Sequence, residues 1–184
     1  MNTQKRVFGI GINDAPKPFD YSCPIYKKWV SMLSRCYSEK YLSRMPSYVG
    51  CSVDERWKIF SGFCSWASQY EMVGTCLDKD LICPGNKIYS PETCAIVSES
   101  VNNFLTGCVR QTKDLPIGVS RGLDGRISVR CSNPFTRKNE FLGYFNCELV
   151  AHKAWKARKH QHACRYADMQ TDSRIAEALR SRFA

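Results

Sequence analysis

Residues 77–94, LDKDLICPGNKIYSPETC, bring together side-chain types that phosphate chemistry uses. Asp78 and Asp80 flank Lys79, and since residues two apart on a strand share one face, the two carboxylates are predicted to lie side by side. Carboxylate oxygens are hard donors that suit Mg²⁺, and a lysine cation can hold a phosphate or stabilise charge that develops on it. The stretch is therefore a candidate for a site that holds a metal against a phosphate.

The same residues also suit a turn with no catalytic function. In that alternative Asp78 and Asp80 cap a turn or pair with Arg56 or Lys87, and the segment closes a small core as a polar hairpin. The residue types alone leave both interpretations open.

The elements that would position this stretch follow from the spacing of apolar residues. IYKKWVSMLSRCY, from Ile25, has helical spacing and predicts an amphipathic helix. A second apolar series over 53–70 predicts a helix, or a helix with a preceding turn, whereas 38–51 is predicted to be a loop. Short strands are predicted on both sides of the turn at 83–86, followed by a helix over about 99–106.

The second half of the chain changes to alternation of apolar and polar residues, which is typical of strands. GVSRGLDGRISVRCSN and EFLGYF supply three such strands, and CELVAHKAWKARKHQHACRYADM then has helical spacing. Residues 115–168 are therefore predicted to form a three-stranded antiparallel sheet packed on one long helix.

Basic residues are unevenly distributed along the chain. Residues 1–109 carry 12 Lys and Arg against 10 Asp and Glu, whereas residues 110–184 carry 15 against 7. A half this basic usually faces a polyanion, because neutralising phosphates releases condensed counterions. A basic surface that serves only solubility is the alternative.

The cysteines and the hydropathy pattern restrict the class of protein. The eleven cysteines are odd in number and form no C-x-x-C pair, so we expect buried thiols and no structural zinc. No apolar run approaches the roughly 20 residues that span a bilayer, and MNTQKRVFGIGIND lacks the apolar core of a secretion signal. We expect a cytoplasmic protein without a membrane partner.

Several motifs of the first half occur in an order that resembles the phage-type HNH homing endonucleases. They are IYKKWVSMLSRCY, CSVDERWKIFSGFCSW, LDKD, GNKIYSPETCAIV and NN, which together span about residues 24–106. The resemblance implies a ββα-metal fold with flanking helices, a single Mg²⁺ or Mn²⁺ ion, and hydrolysis of DNA phosphodiester bonds. It assigns the first-strand metal ligand to Asp78 and the helical ligand to Asn102, with Asp80 and Asn103 as further candidates. The alternative is that both asparagines are only polar helix residues.

The chain departs from that family at the position of the base. The family has a histidine directly after the first aspartate, where this chain has Lys79, and Thr93 stands in place of an asparagine. A lysine with a pKa of about 10.4 is protonated at neutral pH and is a poor base. Either a water activated by the metal cleaves DNA with Lys79 as an electrostatic helper, or the site no longer cleaves and the protein only binds DNA.

The second half, GVSRGLDGRISVRC and EFLGYFNCELVAHKAW, resembles the Apetala2/ERF-type DNA-binding domain over about residues 116–165. The resemblance implies that the sheet lies in the major groove of double-stranded DNA. Arginines that alternate outward on the strands suit guanine edges, and cations in the turn suit phosphate; ordinary surface charge is the alternative. The residues predicted to contact DNA are Arg121, Arg126, Arg130, Arg137 and Lys138. Cations of the following helix, Lys159 among them, are predicted to be mostly solvated or near the DNA backbone.

These observations predict an α+β protein of five segments. The segments are an extended arm (1–23), an HNH-like module (24–106), a linker (107–114), an Apetala2-like domain (115–168) and a helical tail (169–184). The predicted function is that of a phage-encoded endonuclease that nicks or cleaves double-stranded DNA in the host cytosol, without a small-molecule cofactor. The alternative is a catalytically inactive relative that binds DNA or inhibits a host protein.

Overall fold

The structure, a computed structural model, describes residues 6–107 and 114–184. Of the described residues, 42% are in helices and 18% in strands, and they include a three-stranded antiparallel sheet, which confirms the predicted α+β class. The chain divides into two compact units, of which the first ends at Glu99 and the second begins at Ser100. The predicted linker at 107–114 lies mostly outside the described residues.

The first unit contains four helices from residue 6 onward, where its description begins. They are α1 (Pro24–Tyr37), α2 (Glu39–Arg44), α3 (Glu55–Lys58) and α4 (Phe60–Ala67), with a 3₁₀ turn at Pro46–Tyr48. The helix predicted from Ile25 is confirmed by α1, whose apolar stripe buries Trp29 and Leu33 completely. The indole N–H of Trp29 donates to the carbonyl oxygen of Trp57 at 2.6 Å, so α1 is joined to α3 in the centre of the core.

The prediction of a loop over 38–51 is wrong, because α2 and the 3₁₀ turn lie there. Ser38 begins α2 as its N-cap, with its hydroxyl accepting from the backbone N–H of Tyr41 at 3.3 Å. None of the residues of α2 is buried. The helix therefore has no apolar stripe for a periodicity search to detect, and its capping residue is the one local sequence signal.

The strands of the first unit pair with distant segments. They are β1 (Ser52–Val53), β2 (Thr75–Asp78), β3 (Ile88–Tyr89) and β4 (Ala95–Ser98). β1 and β3 are parallel, whereas β2 and β4 are antiparallel. The two strands that flank the 83–86 turn, β2 and β3, are thus both present but do not form a hairpin with each other.

The N-terminal residues are tied to this unit by short backbone bridges. Val7 pairs with Gly11, and Ile12 pairs with Ile59 between α3 and α4. The described part of the predicted arm is therefore partly hydrogen-bonded to the domain.

The second unit contains three helices and one sheet within its described residues. They are α5 (Glu99–Thr106), β5 (Val119–Arg121), β6 (Ile127–Ser132), β7 (Asn139–Phe145), α6 (Glu148–Asp168) and α7 (Ser173–Ser181). The strand order is β5-β6-β7, antiparallel throughout. The core between the sheet and α6 is formed by inward residues such as Val129, Cys131 and Trp155, so the predicted sheet on one helix is confirmed.

The helical tail is confirmed as α7, which buries Ile175 and Leu179. α5 also packs within this unit, since the ring of Phe104 contacts Tyr166 and Phe183 at centroid distances of 5.2 and 5.6 Å. α5 was predicted as part of the first module, and its contacts with α6 are long-range features that local spacing does not show.

A β-bulge changes the register of β7 against β6. Val129 lies opposite Gly143, but the next residue, Arg130, lies opposite Phe141, so Leu142 is the extra residue. Gly143 has φ +122, a conformation that glycine adopts without steric cost. Because one extra residue reverses the alternation of side chains, residues on the two sides of the bulge have different facing patterns.

Candidate functional site

Asp78 is the last residue of β2, and two cations of α1 fix the outer edge of that strand. Lys28 Nζ donates to the carbonyl of Thr75 at 2.6 Å, and the Arg35 guanidinium donates to the carbonyl of Leu77 at 3.5 Å. On its other edge β2 is paired with β4, which places Asp78 opposite Ala95. The backbone before Asp78 is thereby held from both sides.

The carboxylate of Asp78 caps the turn that follows β2. Its Oδ1 accepts from the backbone N–H of Asp80 at 2.8 Å and of Leu81 at 2.7 Å. The alternative in which Asp78 caps a turn is therefore confirmed. Both bonds fall on one oxygen, and within 6–107 and 114–184 no donor is bonded to Oδ2. Oδ2 is therefore the oxygen of Asp78 that is available as a ligand to a cation.

Lys79 is 7% exposed and is bonded inside the unit. Its ammonium donates to Asp80 Oδ1 at 2.6 Å and to the carbonyl of Asn86 at 2.9 Å, and it lies 5.7 Å from the ring centroid of Tyr48. Burial alone would lower the pKa of Lys79, but the hydrogen bond and charge of Asp80 outweigh burial, and the pKa is raised. Lys79 is thus a permanent cation, which excludes it as a general base at neutral pH.

The prediction that Asp80 shares a strand face with Asp78 is wrong, because β2 ends at Asp78. The carboxylate of Asp80 instead forms the ion pair with Lys79. The alternative in which Asp78 or Asp80 pairs with Arg56 or Lys87 is not found among the described residues. Arg56 forms ion pairs with Asp54 and Glu92, and Lys87 donates to backbone carbonyls of 47 and 49.

Asn102 and Asn103 lie on α5 in the second unit. The carbonyl of Asn102 accepts from the hydroxyl of Thr106 at 2.8 Å, and Asn103 lines a cavity that also contains Arg137 and Lys159. The convergence of either amide with Asp78 stays a prediction.

The metal ligands that the described part of the first unit offers fit only a weakly bound cation. In the described part of the chain, no group of three or more His, Cys, Asp or Glu side chains is arranged to hold a metal. Mg²⁺ is commonly bound through one or two carboxylates, with water and substrate phosphates completing its six positions. Asp78 can supply one such carboxylate, whereas Asp80 is already paired with Lys79.

The face of the second unit's sheet opposite α6 carries two arginine–aromatic pairs, which we call the open face. Arg126 lies over the ring of Tyr144, with 4.7 Å from its guanidinium carbon to the ring centroid, and Arg130 lies over Phe141 at 5.8 Å. The two rings are in edge contact at 5.2 Å. Phe141 is 50% exposed and Tyr144 58% exposed, so the rings hold the guanidinium groups at the surface.

Phe141 and Tyr144 were not predicted as functional residues. Strict alternation in EFLGYF assigns residues 141 and 144 to opposite faces, and only the bulge at Leu142 brings both rings to the open face. The glycine of that segment was the available signal, since an isolated glycine within a strand often marks a bulge.

The predicted outward orientation of Arg121 is wrong. Arg121 lies opposite Ile127 in the antiparallel register, and residues directly opposite each other point to the same face. Ile127 is in the core beneath α6, and Arg121 correspondingly forms an ion pair with Glu148 in the first turn of α6. Arg126 and Arg130, which are offset from Ile127 by odd numbers of residues, are on the open face as predicted.

Arg137 and Lys138 are exposed in the turn between β6 and β7. Asn133 organises this turn, because its side-chain oxygen accepts from the backbone N–H groups of Phe135 and Thr136 at 2.9 and 3.1 Å. Arg137 has φ +57, an uncommon conformation for a residue with a side chain. Both cations are thus presented at the end of the sheet, as the sequence predicted.

Comparison of the chain with protein-family models, with curated proteins and with solved structures finds no match. Over the residues that the structure covers, no helix combines the length and apolar character needed to cross a bilayer.

Proposed function

We propose that the protein binds double-stranded DNA through the open face of the second unit. The observation that carries this proposal is the pair of guanidinium groups, Arg126 and Arg130, stacked on exposed aromatic rings on the face that α6 leaves uncovered. The charge supports it, since the second unit has 15 Lys and Arg against 7 Asp and Glu. A monomer that served only solubility would not need exposed aromatic side chains beside these cations.

The arginines and the aromatic rings of the open face have different roles in binding. A guanidinium fork matches the O6 and N7 acceptors of guanine, and an aromatic ring makes apolar contact with the methyl group of thymine. Arg126 is also bonded to Asp124 at 2.6 Å, whereas among the described residues the guanidinium of Arg130 contacts only the ring of Phe141. Arg130 is therefore the principal base-reading residue, and Arg137 and Lys138 contact phosphate and set the register.

Fluorescence anisotropy with a labelled duplex tests this proposal. Arg130→Ala is expected to weaken binding by about 1–3 kcal/mol and to reduce sequence discrimination. Arg121→Ala is the matched control, because it removes the same charge from the helix side of the same sheet. Equal losses of DNA affinity for the two variants would show that only net charge matters, and would contradict binding through the open face.

A second candidate function is metal-dependent nicking or cleavage of the bound DNA. It is favoured by the position of Asp78, whose Oδ2 is available at the end of a strand held on both edges, and by the resemblance to the HNH endonucleases. Mg²⁺ or Mn²⁺ bound there would polarise the scissile phosphate. Lys79 positions the turn through Asp80 and Asn86 and contributes a fixed positive charge.

Incubation with supercoiled plasmid and Mg²⁺ or Mn²⁺ tests the second candidate. Nicking is expected for the wild-type chain and for Glu55→Ala, which removes an exposed carboxylate, and is expected to be lost in Asp78→Ala. Nicking that persists in Asp78→Ala would eliminate this site. Tight duplex binding without nicking in any variant would favour a non-catalytic DNA-binding protein, and a stable complex with a host protein without DNA affinity would favour an inhibitor.

A further inference from the structure

A buried ammonium in the second unit lacks a carboxylate partner among the described residues. Lys159 is 7% exposed, and its Nζ donates to the carbonyl of Phe104 at 3.1 Å. The same Nζ lies 3.7 Å from the ring centroid of Phe104, 5.5 Å from that of Phe183 and 6.0 Å from that of Trp155. Lys159 is thus an exception to the prediction that the cations of α6 are mostly solvated or near the DNA backbone.

One carbonyl oxygen and three aromatic rings only partly offset the cost of burying the positive charge of Lys159. An ammonium has three N–H donors, and burying a charge is costly unless it is paired and hydrogen-bonded. The position therefore favours an anion as a further partner of Lys159.

The side chain lines a cavity of about 500 Å³ whose described lining is suited to an anion. A second cation, Arg137, lies in its wall, together with the amide of Asn103 and the hydroxyl of Ser132; Asn133 also lines the cavity, but its amide is bonded to Glu140. None of the described lining residues is Asp or Glu. The volume is within the range of about 300–1,000 Å³ that small-molecule sites occupy.

The backbone of Arg137 adds an independent observation. Its φ of +57 is unfavourable for a residue with a side chain, and such conformations concentrate at sites where a side chain must be held in a particular place. The turn is fixed by Asn133, whose backbone carbonyl accepts from the N–H of Arg137 at 2.9 Å and whose amide donates to Glu140 at 2.7 Å. Arg137 is therefore presented to the cavity by a braced turn.

We propose that this cavity is an anion site that holds a phosphate group between Lys159 and Arg137. Guanidinium and ammonium groups form charge-assisted hydrogen bonds with phosphate oxygens, and Asn103 contributes a neutral donor. The phosphate belongs either to a free mononucleotide, whose base would contact the ring of Tyr166, or to the backbone of DNA. The site is separate from the open face, and its existence does not depend on base reading there.

Isothermal titration of the full chain with inorganic phosphate and with dAMP tests the free-ligand source. Lys159→Met and Arg137→Gln are each expected to weaken binding by about ten- to hundredfold. Lys153→Met is the matched control, since it removes an exposed cation from the same helix. Melting followed by circular dichroism establishes whether Lys159→Met is folded; if it is not, Arg137→Gln, which changes an exposed side chain, decides the question.

Anisotropy with a short duplex tests the DNA-backbone source. If phosphate and dAMP do not bind but both cavity variants weaken duplex binding at least about tenfold while Lys153→Met does not, the phosphate is that of DNA. If neither measurement responds to the folded cavity variants, the anion site does not exist. Arg130→Ala separates this result from the proposed function, because it is expected to weaken duplex binding and to leave phosphate and dAMP binding unchanged.

Discussion

The role of Lys79 is determined by what its ammonium contacts. The sequence places a cation beside Asp78, but it does not show that the ammonium is bonded to Asp80 and to the carbonyl of Asn86 in the interior of the turn. A raised pKa keeps this cation charged. Lys79 therefore acts on the candidate site by fixing the backbone around Asp78.

Lys79→Met is expected to destabilise the first unit by about 1–3 kcal/mol, because the carbonyl of Asn86 loses its charged donor. The contribution of a raised lysine pKa is fully present below the unfolded value and is lost only as pH rises through the folded value, so the loss should be constant from about pH 6 to 9. Hydrogen exchange of the β2 amides measures it. Lys40→Met, which removes an exposed lysine of α2 in the same unit, is the control; an equal loss there would contradict a special role for Lys79.

His162 gives the second unit a pH-dependent contact. Burial lowers the pKa of His162, against the opposing effect of Glu140, whose carboxylate is 3.2 Å from its Nε2; Arg158 and Lys159 lower the pKa further. A lowered histidine pKa means that the unfolded chain takes up the proton first as pH falls. The stability of this unit should therefore fall as pH decreases below the ordinary histidine pKa of about 6.5.

Thermal melts at about pH 7.5 and pH 5.5, on either side of that pKa, measure this effect. His162→Gln retains an amide donor toward Glu140 and has no proton to gain, so its melting temperature should fall less between the two conditions. An unchanged pH dependence in the variant would assign the effect to other groups.

At the scale of elements, regular helices with one buried face were predictable and non-local contacts were not. α1 and α6 were found because their apolar residues recur at helical spacing, whereas α2 has no buried residue to reveal it. The partners of β2 and β3 are separated from them in sequence, and no local pattern specifies which short strands pair. The arginines of the open face, Arg126 and Arg130, were predicted from the alternation of residues. Phe141 was not, because its position on that face depends on the bulge.

Close approach of β5 and α6 makes Gly118 a sensitive position. Its φ is +83, and a Cβ there would lie 2.0 Å from the ring of Trp155. Gly125 has a similar φ of +79 but open space around it. Gly125→Ala should cost about 1–2 kcal/mol from backbone strain, and Gly118→Ala about 1–3 kcal/mol more from overpacking. Hydrogen exchange of the β6 amides measures both, and equal losses would mean that Trp155 moves aside freely.

At the scale of the whole molecule, the asymmetric charge was fully visible in the sequence. The first unit has 12 Lys and Arg against 10 Asp and Glu, and the second has 15 against 7. What the sequence could not show is how individual charges are used. Arg121 and Arg126 are paired with acidic residues, Lys159 is buried, and Lys138 is exposed. Net charge predicts a polyanionic partner, whereas the contacts identify the cations available to it.

The salt dependence of DNA binding should be determined by the exposed cations of the second unit. Lys138→Ala is expected to reduce the slope of log K against log salt concentration by about one, because one fewer counterion is released. Lys40→Ala, an exposed lysine of the first unit, should leave the slope unchanged. Anisotropy titrations over a series of salt concentrations provide the measurement, and a similar change for both variants would show that the second unit is not the main contact.

The bulge in β7 makes Gly143 a determinant of what this protein can recognise. Its φ of +122 is unfavourable for a residue with a side chain, and in a strand of the same length without the bulge one of the two rings would turn toward α6. Removing Leu142 would instead leave Arg130 opposite Phe141, with Phe141 and Tyr144 two positions apart on the open face. Related chains that use the same surface should therefore keep either this glycine or a strand that is one residue shorter.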